Sequence, residues 1–220
     1  MLSGDIPFKL CPNNFQCGEC AYDQMFSDRP VRPFPIEYEK VSKVSGFYLP
    51  EGLHFHRAHA WARIEGGGRI RVGLDDFGRR LIGKTDAVEL PPLGRELKQG
   101  ETGWRLRRGN RLLGALSPVD GTVVAVNRKL EKDPSIAHED PYGEGWAFIV
   151  EPKNLTRNIR NLLYGDVTRE WYSEDAHRLL ERIGTELGQT IPDGGLPVED
   201  IYEAVDEDTW EALIKEFLFA

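Results

Sequence analysis

From Phe47 to about Pro152 apolar and polar residues alternate over short runs, and beyond Pro152 apolar residues recur every three or four positions. The first period marks strands with one face in a core, and the second marks amphipathic helices. Trp61-Ala62-Arg63-Ile64-Glu65, then Gly66-Gly67-Gly68, then Arg69 to Leu74 reads as a hairpin whose glycines supply positive φ at the loop. Asp75 to Ile82 breaks the alternation and is predicted as one short helix, with Phe77 and Leu81 four residues apart. Further strands are predicted at residues 86–90, 103–106, 112–116, 121–126 and 146–150. Many short strands at close spacing predict a mainly β fold, closed or sandwiched.

Past Pro152 three stripes follow. Leu155, Ile159, Leu162 and Leu163 make the first; Trp171, Ala176, Leu179, Leu180 and Ile183 make the second. The third runs from Val198 to Phe219 through Ile201, Val205, Trp210, Leu213, Ile214 and Phe217 on an acidic background. Such stripes pack on the β-domain or on each other, or the last one docks in a partner's groove. At the other end, residues 1–45 hold all three cysteines, and Pro30, Pro33 and Pro35 make Arg29 to Ile36 an extended connector. Three regions are therefore expected: a Cys-containing extension over 1–45, a β-domain over 46–152 and an acidic helical region over 153–220.

The net charge of −8 argues against a nucleic-acid partner, because such binding draws on basic surface. No apolar run approaches the roughly 18 to 20 residues that cross a bilayer, and the first residues show neither a basic n-region nor an apolar h-region. A cytoplasmic protein with no direct membrane insertion is expected. The charge is unevenly spread: carboxylates dominate from Tyr172 onward, while Arg105, Arg107, Arg108 and Arg111 crowd one short segment. That polarity suggests oriented docking to a protein partner, although a solvated surface also accounts for it. G-x-S-x-G, Walker A and H-E-x-x-H motifs are all missing from the sequence, so no enzyme activity is expected.

Several motifs occur in a set order: His59-Ala60-Trp61, Val88-Glu89-Leu90-Pro91 followed by Gly94, Ser117-Pro118-Val119-Asp120-Gly121, Val126-Asn127, Asp133-Pro134, and Glu139-Asp140-Pro141-Tyr142-Gly143-Glu144-Gly145-Trp146. Together they resemble the glycine cleavage H-protein family over roughly Phe47 to Tyr172. The resemblance implies a flattened β-barrel, the barrel-sandwich hybrid shared with lipoyl and biotinyl carrier domains. It also implies a hairpin tip whose lysine, eight residues before the motif proline, takes lipoic acid. Counting back from Pro118 puts Asn110 there, and a side-chain amide cannot be acylated in that way. The family's glutamate three residues earlier corresponds to Arg107, and no lysine lies between Lys98 and Lys129. Lipoate is therefore not expected. Gly109-Asn110 still suits a two-residue hairpin loop. Arg105, Arg107, Arg108 and Arg111 then form a basic knuckle, either a docking site for an acidic surface or anion, or ordinary surface charge.

Cys11, Cys17 and Cys20 are spaced C-x5-C-x2-C, three soft ligands in a small loop. One zinc ion, with His56 (or His54 or His59) as fourth ligand, is the first expectation. An iron–sulfur cluster stands behind it because two C-x2-C halves are not present, and reduced thiols without metal are a further alternative. His59, as part of His-x-Trp, is expected to hydrogen-bond within the β-domain instead of binding metal. The function expected is a non-lipoylated, protein-binding or scaffolding subunit of a larger complex. A metal- or thiol-based redox module built on the three cysteines is the alternative, and an H-protein role in glycine decarboxylation is opposed by Asn110.

Overall fold

The computed structural model describes residues 40–186 and 199–219, which belong to one compact unit. The three cysteines lie outside the described residues. The strands are β1 (Val41–Val44), β2 (Phe47–Pro50), β3 (His54–His56), β4 (Ala60–Ile64), β5 (Ile70–Leu74), β6 (Ala87–Glu89), β7 (Glu96–Leu97), β8 (Thr102–Arg108), β9 (Arg111–Leu116), β10 (Gly121–Val126) and β11 (Phe148–Glu151). The helices are α1 (Asp76–Ile82), α2 (Lys129–Lys132), α3 (Ile136–Glu139), α4 (Leu155–Ile159), α5 (Asp166–Glu186) and α6 (Glu207–Leu218). β1 and β2 pair as a hairpin, a six-stranded sheet runs β3-β4-β5-β11-β10-β7, and a three-stranded sheet runs β6-β8-β9. The two larger sheets are not joined into a closed barrel. They meet through side chains such as Trp104 edge-on to Phe148 at 5.4 Å, which gives the flattened barrel-sandwich that the resemblance implies.

The motifs quoted above hold the sheets in register. Trp61 on β4 is fully buried, and its indole lies where a Cβ on Gly73 of β5 would fall, 2.6 Å away, so only glycine fits opposite it. The indole N–H donates to the Pro141 carbonyl at 3.1 Å, which ties the first long hairpin to the turn before β11. That turn closes on Asp140, whose carboxylate accepts the N–H groups of Gly143 and Glu144. Asn127 then donates to the carbonyls of Glu144 and Trp146. β11 was expected to alternate, but Phe148, Ile149 and Val150 are all buried. It lies between β5 and β10 in the middle of the larger sheet, where both faces are covered.

Two features differ from the expected boundaries. The first ladder begins at Val41, inside the segment assigned to the extension, where Ser45 and Gly46 at φ 47° and 90° turn a hairpin too short to show a pattern. The last helix starts at Glu207, not at Val198, because Asp206 caps it by accepting the Thr209 N–H. The fate of the third stripe is settled in cis. Trp210, Leu213, Ile214 and Phe217 are buried, the Trp210 indole donates to the Leu81 carbonyl at 2.7 Å, and Phe217 packs on Phe77 at 5.1 Å.

Trp210→Ala empties an indole-sized site and leaves the Leu81 carbonyl unpaired. Urea unfolding followed by circular dichroism is expected to show a loss of about 3–5 kcal/mol. A loss under about 1 kcal/mol would mean that α6 does not dock as described.

Candidate functional site

The β8–β9 hairpin projects from the smaller sheet, with Arg105 opposite Gly114, Arg107 opposite Leu112 and Arg108 opposite Arg111. Strand alternation turns Trp104 and Leu106 into the core and leaves Arg105 and Arg107 on the outer face, as the spacing required. The tip is Gly109-Asn110. Gly109 has φ 57° whereas Asn110 does not enter positive φ, the sign pattern of a type II′ turn. The Gly109 N–H donates to the Asp86 carboxylate at 2.6 Å, so the turn is braced from β6's side. Asn110 contributes none of these bonds and is exposed.

The four arginines do not form one free basic patch. Arg108 reaches Asp200 at 3.4 Å and Glu203 at 2.5 Å, and its guanidinium lies over the Tyr202 ring at 4.4 Å. Arg111 reaches Glu207 at 2.9 Å and Glu211 at 2.5 Å, and the hydrogen bonds it donates to Glu207 hold its pKa above the ordinary value. Both are thus answered by the chain's own acidic segment. Arg105 and Arg107 stay about half exposed and share Glu89, at 3.9 and 3.4 Å. The uneven charge visible in the sequence is therefore largely paired in cis. The signal for this was present in part: Asp200, Glu203, Glu207 and Glu211 recur at intervals of three or four residues, although the first two lie in the turn before α6.

A second cluster joins the helices to the sheets. His59, at φ 56°, is fully buried and sandwiched between Phe77 (3.9 Å) and Trp171 (4.8 Å). Its Nδ1 lies 2.9 Å from Asp75 Oδ2, and its Nε2 lies 3.3 Å from Asp175 Oδ2, an ion-pair distance too poorly aligned for a good hydrogen bond. Burial alone would lower the His59 pKa, but the two carboxylates outweigh it and hold it above the usual histidine value. Asp175 is kept below the usual carboxylate range against the effect of its burial, by His59 and Arg178, whereas burial raises Asp75. The expected hydrogen bonding of His59 within the domain is what the structure shows. Sequence reading did not find Asp175, because its link to His59 spans most of the domain.

Of the expected metal ligands, Cys11, Cys17 and Cys20 lie outside the described residues, whereas His56 and its alternatives His54 and His59 lie within them. The His56 Nδ1 accepts the Ala58 N–H at 3.1 Å, which puts the proton of the neutral ring on Nε2 and leaves no free lone pair in that tautomer. Burial and the nearby His59 lower its pKa. Among the described residues no group of three or more His, Cys, Asp or Glu is placed to hold a metal ion.

Two facing antiparallel sheets with a two-residue hairpin presenting a side chain at the rim make this a domain of the lipoyl- and biotinyl-carrier type. The family profile described as "Glycine cleavage H-protein" matches residues 53–175. The H protein of the glycine cleavage system from Stenotrophomonas maltophilia strain K279a is 39% identical over 129 residues, 59% of this chain and 98% of that one. The corresponding protein of Xanthomonas campestris pv. campestris strain B100 matches to the same extent. The crystal structure of a glycine cleavage system H protein from Mycobacterium marinum overlays with a TM-score of 0.50 at 26% identity, covering 58% of this chain and 98% of the other. The chain belongs to the glycine cleavage H-protein family.

A histidine whose folded pKa is raised lends stability that is complete below its ordinary value of about 6.5 and is lost as pH climbs through the folded value. Burial lowers the pKa values of His54, His56 and His138, so they titrate below that window. The urea midpoint is therefore expected to fall as pH rises from about 7 to 9. His59→Gln should flatten that fall. A slope unchanged by the substitution would remove His59 as its source.

Proposed function

We propose that this chain is a non-lipoylated H-protein relative that serves as a non-catalytic, protein-binding subunit of a larger assembly. The observation that carries the proposal is Asn110 at the exposed hairpin tip, within a frame that is otherwise kept. An asparagine amide nitrogen shares its lone pair with the carbonyl and does not attack an activated acyl group as an amine does. No lysine stands between Lys98 and Lys129 to replace it. What survives is surface. The outer face of the β6-β8-β9 sheet carries Arg105 and Arg107, with Leu112 beside them at 47% exposure. Two guanidinium groups around an exposed leucine suit a protein contact with carboxylates at its rim. The matched relatives are named for the glycine cleavage system, and a component of that system, or of an assembly built like it, is the partner class this reading assigns.

Co-expression with a lipoate-attaching ligase and lipoate, with the Stenotrophomonas H protein as positive control, tests the first half by intact mass. The mass is expected to be that of the bare polypeptide while the control is modified. A gain of one lipoyl group on any lysine, Lys84 beside the hairpin included, would overturn the reading.

The second half is tested by Arg105→Glu with Arg107→Glu in a binding titration against purified glycine cleavage components. The affinity of whichever component binds the wild type should drop about 10-fold or more, with the urea midpoint unchanged. Equal affinity would remove this face as the docking surface.

A further inference from the structure

The acidic segment before and within α6 lies on the hairpin tip, but it is not held there by the tip. Its anchors are apolar and lie elsewhere: Ile201, Trp210, Leu213, Ile214 and Phe217 are buried, the Ile201 N–H donates to the Arg80 carbonyl, and the Trp210 indole donates to Leu81. The contacts at the tip are of another kind. Arg108 and Arg111 each meet two carboxylates, and Arg108 also lies over Tyr202. Arg111 and Glu207 are 43% and 57% exposed and Glu203 is 68% exposed, so water and a competing carboxylate reach the Arg111 pairs and the outer side of the Arg108–Glu203 pair, while Arg108 itself is 11% exposed. Ion pairs exposed on both sides are individually weak. At the turn itself only small groups stand in the way: a Cβ on Gly109 would meet nothing nearer than the Tyr202 hydroxyl at 3.7 Å.

We propose that the tip is a receptor for acidic segments with carboxylates at helical spacing and an aromatic ring among them, and that residues 200–211 fill it in cis until such a segment of a partner protein takes over Arg108 and Arg111. This rests on the protein-binding reading above and names both the partner's chemistry and the control on its access. The chain's own segment shows the recognition mode. Asp200 and Glu203, in the turn before α6, meet Arg108; Glu207 and Glu211, on α6, meet Arg111; and a tyrosine supplies the ring face for Arg108. The carboxylates are not themselves anchors, so a partner can exchange with them while α6 stays docked; Tyr202, edge-on to Trp210 at 4.9 Å, is a tip contact shared with the anchors. Opening the tip therefore does not require unfolding the helix.

The test uses the full chain and a fluorescein-labelled synthetic helical peptide carrying one tyrosine and four glutamates at this spacing, read by anisotropy at low salt. Three variants are compared with the wild type: Glu203→Gln/Glu207→Gln/Glu211→Gln; the charge-matched Glu96→Gln/Glu131→Gln/Glu144→Gln, which leaves the tip covered; and the first triple combined with Arg108→Gln/Arg111→Gln. The first triple is expected to bind the peptide about 10-fold tighter than the wild type or the charge-matched control. Adding the arginine substitutions should abolish the gain. An equal gain in the charge-matched control, or a gain that survives loss of both arginines, overturns the proposal as bulk electrostatics. Wild-type binding through Arg108 and Arg111 as tight as that of the first triple overturns the cis control alone and leaves a docking tip standing. Binding by none of the forms overturns the receptor itself, while the Arg105–Arg107 face is judged separately by its own titration.

Discussion

The contact on which the rest of this structure depends is the buried imidazole of His59 between Asp75 and Asp175. Asp75 is also the N-cap of α1, accepting the Gly78 N–H at 2.8 Å, so the charge that holds His59 sets the start of that helix. α1 in turn offers the Arg80 and Leu81 carbonyls to Ile201 and Trp210, and Gly83 and Lys84 lie against Asp200. Asp175 ties α5 to the same imidazole. Titratable groups held out of water are costly to desolvate when charged, so the cluster is better understood as fixing which helix docks where than as a large net source of stability. Removing one member would leave an uncompensated charge in the core, which binds the three residues to one another.

The geometry of the hairpin does not rest on the residue at its outer turn position. The turn is set by Gly109 in the left-handed region, by the Asp86 carboxylate under the Gly109 N–H and by the β8–β9 register. Residue 110 points outward and takes no part in these bonds. The bonds that set the turn therefore do not depend on its side chain. Around the turn stand four guanidinium groups, of which two are held by the chain's own acids and two face solvent beside Glu89.

The helical region gives this family frame its particular character. The profile match ends at residue 175, within α5, and everything that covers the hairpin tip lies beyond it. An acidic helix added to a carrier-type domain changes the surface it offers: Arg108 is only 11% exposed, while Arg105 and Arg107 remain open. One hairpin thus has two kinds of arginine, distinguished by the neighbour and not by the strand.

Much of this was legible in the sequence. Alternation placed β4, β5, β8, β9 and β10 close to their observed bounds, and the Asp75–Ile82 break matched α1. The Asp140, Gly143 and Gly145 turn and the Gly109-Asn110 hairpin loop could be read directly, because turns and strand faces are local properties. The sequence by itself also determined that the tip carries arginines and no lysine, and that an acidic apolar-striped helix follows. Only the tertiary structure decided that this helix packs in cis, that its carboxylates meet Arg108 and Arg111, that β11 is covered on both faces, and that Asp175 reaches His59. The physical reason is common to all four. Periodicity reports which face of an element is apolar, whereas which two faces meet is decided by burial of Trp210, Phe217 and Trp171 against surfaces that exist only once the sheets are assembled.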